Sequence, residues 1–141
     1  MRVLPFLVAT FALAAVSAAA QDTQPMFDWR AQEQAYGNRP DTNLNRCFNG
    51  KFIVGANRSG KNTVYVQSKS GGIYGVQLGE GCDALKAAEK VSLRSRGSDV
   101  VCESQPADLV VQTAAGAKRC HASEVRKLTS REVTALASAN P

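Results

Sequence analysis

The side chains able to do chemistry in this chain are few: Cys47, Cys82, Cys102, Cys120, a single histidine (His121), and a glycine-rich stretch running into Lys61. That stretch, Gly55-Ala56-Asn57-Arg58-Ser59-Gly60-Lys61-Asn62, fits G-x-x-x-x-G-K and then fails. Asn62 stands where a Ser or Thr must hold magnesium. A phosphate-cradling loop must also open a helix, whose first N–H groups hold the phosphate. Thr63-Val64-Tyr65-Val66 is β-branched and aromatic, so it reads as a strand. The stretch is therefore a hairpin loop. Asn57-Arg58-Ser59 is formally a glycosylation acceptor, which matters only in a eukaryotic source.

Metal and nucleophile readings fare no better. The cysteines are 35, 20 and 18 positions apart, whereas a structural zinc site needs ligands in tight pairs. Cys120 and His121 are neighbours on an expected strand, so their side chains point to opposite faces. Any Ser–His–Asp triad must use the same His121, and no serine has the nucleophile-elbow pattern. Glu80 and Asp83 flank Cys82 in a glycine-rich turn, which is ordinary solvated loop chemistry. The reading is a protein without catalytic residues, metal or cofactor.

The ends of the chain say where the cysteines go. Arg2, the apolar run Val3 to Val16 and the small residues Ala18-Ala19-Ala20 have the layout of a secretory signal peptide over 1–20. Cleavage is expected before Gln21. No further apolar run of membrane length is present, so the exported product is expected in the periplasm or outside the cell, with no transmembrane segment. Losing Arg2 takes the net charge from +5 to +4. Four cysteines outside the reducing cytosol favour two disulfides, and three pairings are open.

The elements that must position these residues can be read in chain order. Residues 21–45 form a polar, loosely ordered arm. Within it Asp28 can cap a short helix to Ala35, Gly37 ends it, and Met26, Phe27, Trp29 and Tyr36 are the apolar anchors. A disulfide-stapled β domain then covers 46–138. Phe48, Phe52 and Val54 share parity and are expected to face inward. Val64 and Val66 alternate with polar neighbours, and Tyr74, Val76 and Leu78 lie on one face of a third strand. Gly75 suggests a bulge or a close backbone approach. A short helix capped by Asp83 is expected near 83–90. Strands are expected next at Val91–Arg94, Val100–Cys102, Leu109–Val111 and Lys118–Ala122. A last helix near 130–137 opens on a Thr129–Glu132 capping box. The fold class is mainly β, a small antiparallel β-sandwich or barrel with short helices.

The cysteines sit in a recognisable frame: Cys47, then Tyr74-x-Val76-x-Leu78, Gly81-Cys82-x-x-Leu85, Val101-Cys102, Arg119-Cys120, and the T-x-x-E helix at Thr129. This frame, from Arg46 to about Ala137, resembles a family of small exported bacterial proteins catalogued only as a domain of unknown function. The resemblance implies a proteobacterial envelope or periplasmic protein with two disulfides, and no known activity. Many such proteins look like lipoproteins; this chain has no lipid-acceptor cysteine after its apolar run. Within that frame the expected pairs are Cys82 with Cys102 and Cys47 with Cys120, the second tying the first strand to one of the last.

For partners, the basic residues are the best lead. Arg94 and Arg96 share strand parity and, with Tyr65 as a flat face, form the candidate binding surface; Lys118, Arg119, Arg126 and Lys127 add charge. The expected partner is an acidic envelope component or protein, and nucleic acid is not expected. The leading function is a non-catalytic binding or interaction module. Ser70-Gly71-x-x-Tyr74 is similar to the S-G-x-x-Y stretch of periplasmic lysozyme inhibitors, so inhibition of an envelope-degrading enzyme is the alternative. A hydrolase using loop carboxylates is a distant third.

Overall fold

In the computed structural model, which describes residues 28–36, 46–79 and 82–139, alternation along the strands decides the architecture. The expected signal peptide and most of the expected arm lie outside those residues. In β3, Thr63–Ser68, the side chains of Val64, Val66 and Ser68 are buried and those between them half-exposed. Strand β2, Ile53–Ser59, pairs with β3 as a hairpin whose tip is Gly60-Lys61-Asn62. The strand thus runs deeper into the glycine-rich stretch than the expected turn over 55–62. Strand β4, Ile73–Leu78, is next, reached through the tight Ser68–Gly72 turn.

From β4 the chain leaves the sheet. It passes Cys82 and makes a single 3₁₀ helix, Asp83–Ala87, in place of the expected helix over 83–90. Asp83 lies inside the helix rather than at its cap, and its carboxylate reaches Lys86 at 3.9 Å. Without a side-chain cap, and with a strand beginning at Lys90, no longer helix forms there.

Strand β5, Lys90–Arg94, pairs with β7, Ala107–Thr113, and β7 pairs with β8, Gly116–Lys127. The β7–β8 turn needs Gly116, whose φ of 118° suits a residue without a Cβ. β8 is long enough to pair with β7 along its first half and β4 along its second, with a bulge between Gln77 and Leu78. The order β2-β3-β4-β8-β7-β5 curls into a nearly closed antiparallel barrel. A separate two-stranded ribbon, β1 (Cys47–Asn49) with β6 (Val100–Cys102), lies against its open side. Gly50 joins the two: its carbonyl accepts from the Leu93 N–H at 2.9 Å, and its N–H donates to Asp99 at 2.7 Å.

The apolar side chains form two layers. Inside the barrel lie Val64, Val66, Tyr74, Val76, Leu78, Val91, Leu93, Leu109, Val111 and Val125, and the ribbon adds Phe48 and Val101. Phe48 stacks on Tyr74, ring centroids 3.9 Å apart. Gly75 lies in regular register, with room for a Cβ between Leu128 and Tyr65, so neither the bulge nor the close backbone approach occurs there. The outer face is covered by two helices, α1 (Trp29–Tyr36) and α2 (Ser130–Ala139). Trp29, Ile73, Leu128, Val133 and Ala137 form this second cluster. Asp28 Oδ1 accepts from the Arg30 N–H at 3.0 Å, the N-cap expected of it. The Gln32 and Gln67 amides then exchange hydrogen bonds at 3.0 and 3.2 Å, so over 28–36 the arm is a docked helix rather than a loose segment.

One inward reading is reversed. Phe48 is buried, but Phe52 and Val54 face solvent and Ile53 faces the core. The turn at Gly50-Lys51 separates two strands of different sheets, so parity does not carry from Phe48 to Phe52.

Candidate functional site

The cysteines pair as Cys47–Cys102 and Cys82–Cys120, which corrects the expected connectivity. The reason is sheet adjacency. The strand carrying Cys102 never enters the barrel; it lies beside β1, where Cys47 is its direct cross-strand partner. Cys82 follows β4, whose neighbour is β8, and the Gly79 N–H already reaches the His121 carbonyl at 3.0 Å. Cys120 is therefore the cysteine within reach of Cys82.

The expected basic surface does not assemble. Arg94 ends β5, while Arg96 sits at the tip of the following turn with φ of 50°, so the two share no strand face. The Arg94 side chain folds back on its own turn, donating to the Gly97 carbonyl at 2.7 Å and lying 3.3 Å from Asp99. Tyr65 is on β3, on the far side of the sheet order from β5, and packs edge-on to Trp29 with centroids 5.1 Å apart. Arg126 is tied to Glu132 at 2.7 Å. Burial raises the Glu132 pKa, but the Thr129 N–H, the Arg126 guanidinium and the Thr129 hydroxyl outweigh it, leaving the carboxyl below its ordinary value.

Other sequence candidates find structural roles. Cys120 is held in a disulfide, so it offers no thiolate beside His121. His121 is exposed, with Nδ1 3.6 Å from its cross-strand partner Asp108. In the S-G-x-x-Y stretch, the Ser70 hydroxyl bonds Ser68 at 2.7 Å and Tyr74 is only 3 % exposed, so the tyrosine serves the core. Glu80 lies outside the described residues. Among the described residues, no three His, Cys, Asp or Glu side chains gather around one point, and no helix is long and apolar enough to cross a membrane.

Open recesses among the described residues include three. One of 370 Å³ lies between α1 and α2. One of 410 Å³ lies over Cys120, between the 3₁₀ helix and Lys118 and Arg119. The smallest, 150 Å³, marks the seam between β2 and β5. Thr113 is the buried polar residue lining the recess over Cys120, and its hydroxyl donates to the Gly116 carbonyl at 2.9 Å rather than to a ligand.

The feature that stands out is a surface. Phe52, Val54 and Val100 are 50, 43 and 55 % exposed, the large apolar side chains that the fold leaves in water among the described residues. Backbone contacts draw them together. The Phe52 N–H donates to Asn49, whose cross-strand partner is Val100, and Val54, two residues beyond Phe52, is the exposed position between buried Ile53 and Gly55. Lys69 donates its N–H to the Phe52 carbonyl at 2.9 Å and holds its ammonium 5.8 Å from the Phe52 ring centre. Lys51 is exposed beside them. Sequence reasoning missed this patch because it assigned Phe52 and Val54 to the core. The readable signal was the Gly50-Lys51 turn, which frees the parity of the residues beyond it.

No curated protein and no solved structure matches the chain. A family model described as "Family of unknown function (DUF6491)" matches residues 1–140, and with its two disulfides and barrel-like β body the chain belongs to that family.

Proposed function

We propose that this protein is an exported, non-catalytic interaction module of the bacterial cell envelope, binding through the Phe52–Val54–Val100 patch. The observation that carries the reading is the exposure of three large apolar side chains at and next to the Asn49–Phe52 turn, on a chain that buries its other described valines, isoleucines and leucines wholly or in part. Large apolar side chains left in water beside a lysine that lies over one of their rings are the mark of a contact surface. The paired cysteines and the signal-like leader support export, and the sequence frame supports a proteobacterial envelope protein. His121 on the exposed barrel wall and Cys120 in a disulfide support a non-enzymatic role.

The test is site-specific photo-crosslinking in envelope extract, with the crosslinker at position 54 or 100 and a control at Lys61 on the hairpin tip. An adduct from 54 and 100, to an envelope protein or to lipid, and absent from 61, is expected. Identical adducts from all three positions, or none from the patch, would remove the assignment.

A further inference from the structure

We infer that the Phe52–Val54–Val100 patch seats on an anionic lipid surface, an assignment that rests on the patch being the protein's binding surface. The shape of the patch is the first reason. Phe52 precedes β2, Val100 opens β6, and with Val54 they are about half exposed; none of the three lines any of the recesses described above. A stable protein interface buries roughly 800 Å² on each partner around a packed centre. Three half-exposed side chains do not make such a centre, but a shallow insertion among lipid headgroups would withdraw a ring and four methyls from water.

Charge is the second reason. Lys51, next to Phe52, and Lys69, against its ring, are exposed and, among the described residues, make no ion pair. The Asp99 carboxylate, next to Val100, is engaged by Arg94 at 3.3 Å. The rim therefore presents positive charge without local compensation. That charge opposes a second copy of the same patch and favours phosphate headgroups. Lys69 lies over the Phe52 ring, so one side chain carries both the apolar stem and the charge that an interfacial site needs.

The experiment is vesicle co-sedimentation of the oxidised protein purified after export. Phosphatidylcholine vesicles are compared with mixed phosphatidylcholine–phosphatidylglycerol vesicles, across a salt series. Binding to the mixed vesicles alone is expected, weakening as salt rises. Phe52→Ser should weaken it about tenfold, and Lys51→Gln and Lys69→Gln about fivefold each. Val100→Ser repeats the apolar test from a different strand, and Lys61→Gln should change nothing. No binding to the mixed vesicles, equal binding to both, or binding indifferent to Phe52→Ser and Val100→Ser overturns the lipid assignment. If vesicles fail while positions 54 and 100 crosslink a discrete protein, the lipid assignment falls and the binding surface stands. If both fail, both fall.

Discussion

Gly50 is the residue on which the joint between ribbon and barrel depends. Its carbonyl serves Leu93, its N–H serves Asp99, and a Cβ placed on it would run into the Leu93 carbonyl. Because the obstacle is backbone, no side-chain rotation relieves it. Gly50→Ala should therefore cost about 3 kcal/mol of stability by overpacking, read from the denaturant midpoint. An unchanged midpoint would mean that the ribbon can lift from β5 freely. Tyr74 makes the complementary case. Its ring fills the space between Phe48 and the barrel interior, so Tyr74→Ala should cost about 3 kcal/mol, leaving a cavity on Phe48. Phe52→Ser should leave thermal unfolding close to that of the parent, because half of that side chain is already in water. A large drop in Tm would show that Phe52 packs rather than waits for a partner.

Among the elements, the two helices had starts that were legible, α1 at Asp28 and α2 at Thr129. Thr129 and Glu132 form a reciprocal capping box: the Thr129 N–H donates to Glu132 at 2.8 Å and the Glu132 N–H to the Thr129 hydroxyl at 3.3 Å. Thr129→Ala should cost about 1 kcal/mol. The depressed Glu132 pKa fixes the direction of the acid response. A carboxyl held below its ordinary 4.5 in the folded state contributes stability that is present above 4.5 and is lost as pH falls through the folded value. The stability gap between the parent and Glu132→Gln should therefore narrow in acid below 4.5, measured by urea titrations at stepped pH; a constant gap would sink the claim. The capping box could be read because its partners are three residues apart, as could the alternation Val64/Val66 and Tyr74/Val76/Leu78. The features that were not legible depend on distant strands. Phe52 turned outward because a turn reset its parity, and Arg96 left the strand because the chain bends at Ser95, which bridges Ser98. The disulfide pairs depended on which strands lie side by side, and local pattern carries no information about that. The patch, by contrast, was missed because parity was carried across the local Gly50-Lys51 turn.

At the scale of the whole molecule, the two disulfides divide the work of closing the barrel. Among strands, β2 and β5 are its edges, and the seam between them is bridged at one end by Gly50 and the ribbon. Cys47–Cys102 locks the ribbon to itself across a separation of 55 residues, and so holds the bridge in place. Cys82–Cys120, with a separation of 38, pins the 3₁₀ helix to the half of β8 that β4 does not cover. In the chain-entropy account each contributes about 4 kcal/mol, so overall stability alone does not tell them apart. Hydrogen exchange does. In Cys47→Ser/Cys102→Ser, amides of β5 and the Leu93–Gly50 bond should lose protection first, while β4 and the second half of β8 keep theirs. In Cys82→Ser/Cys120→Ser the loss should centre on 83–87 and 116–121 instead. Non-reducing peptide mapping of the parent should recover the same two pairs. If both double variants lose protection uniformly, the barrel opens as one cooperative unit, and the ribbon is a passive flap rather than the clasp of the seam.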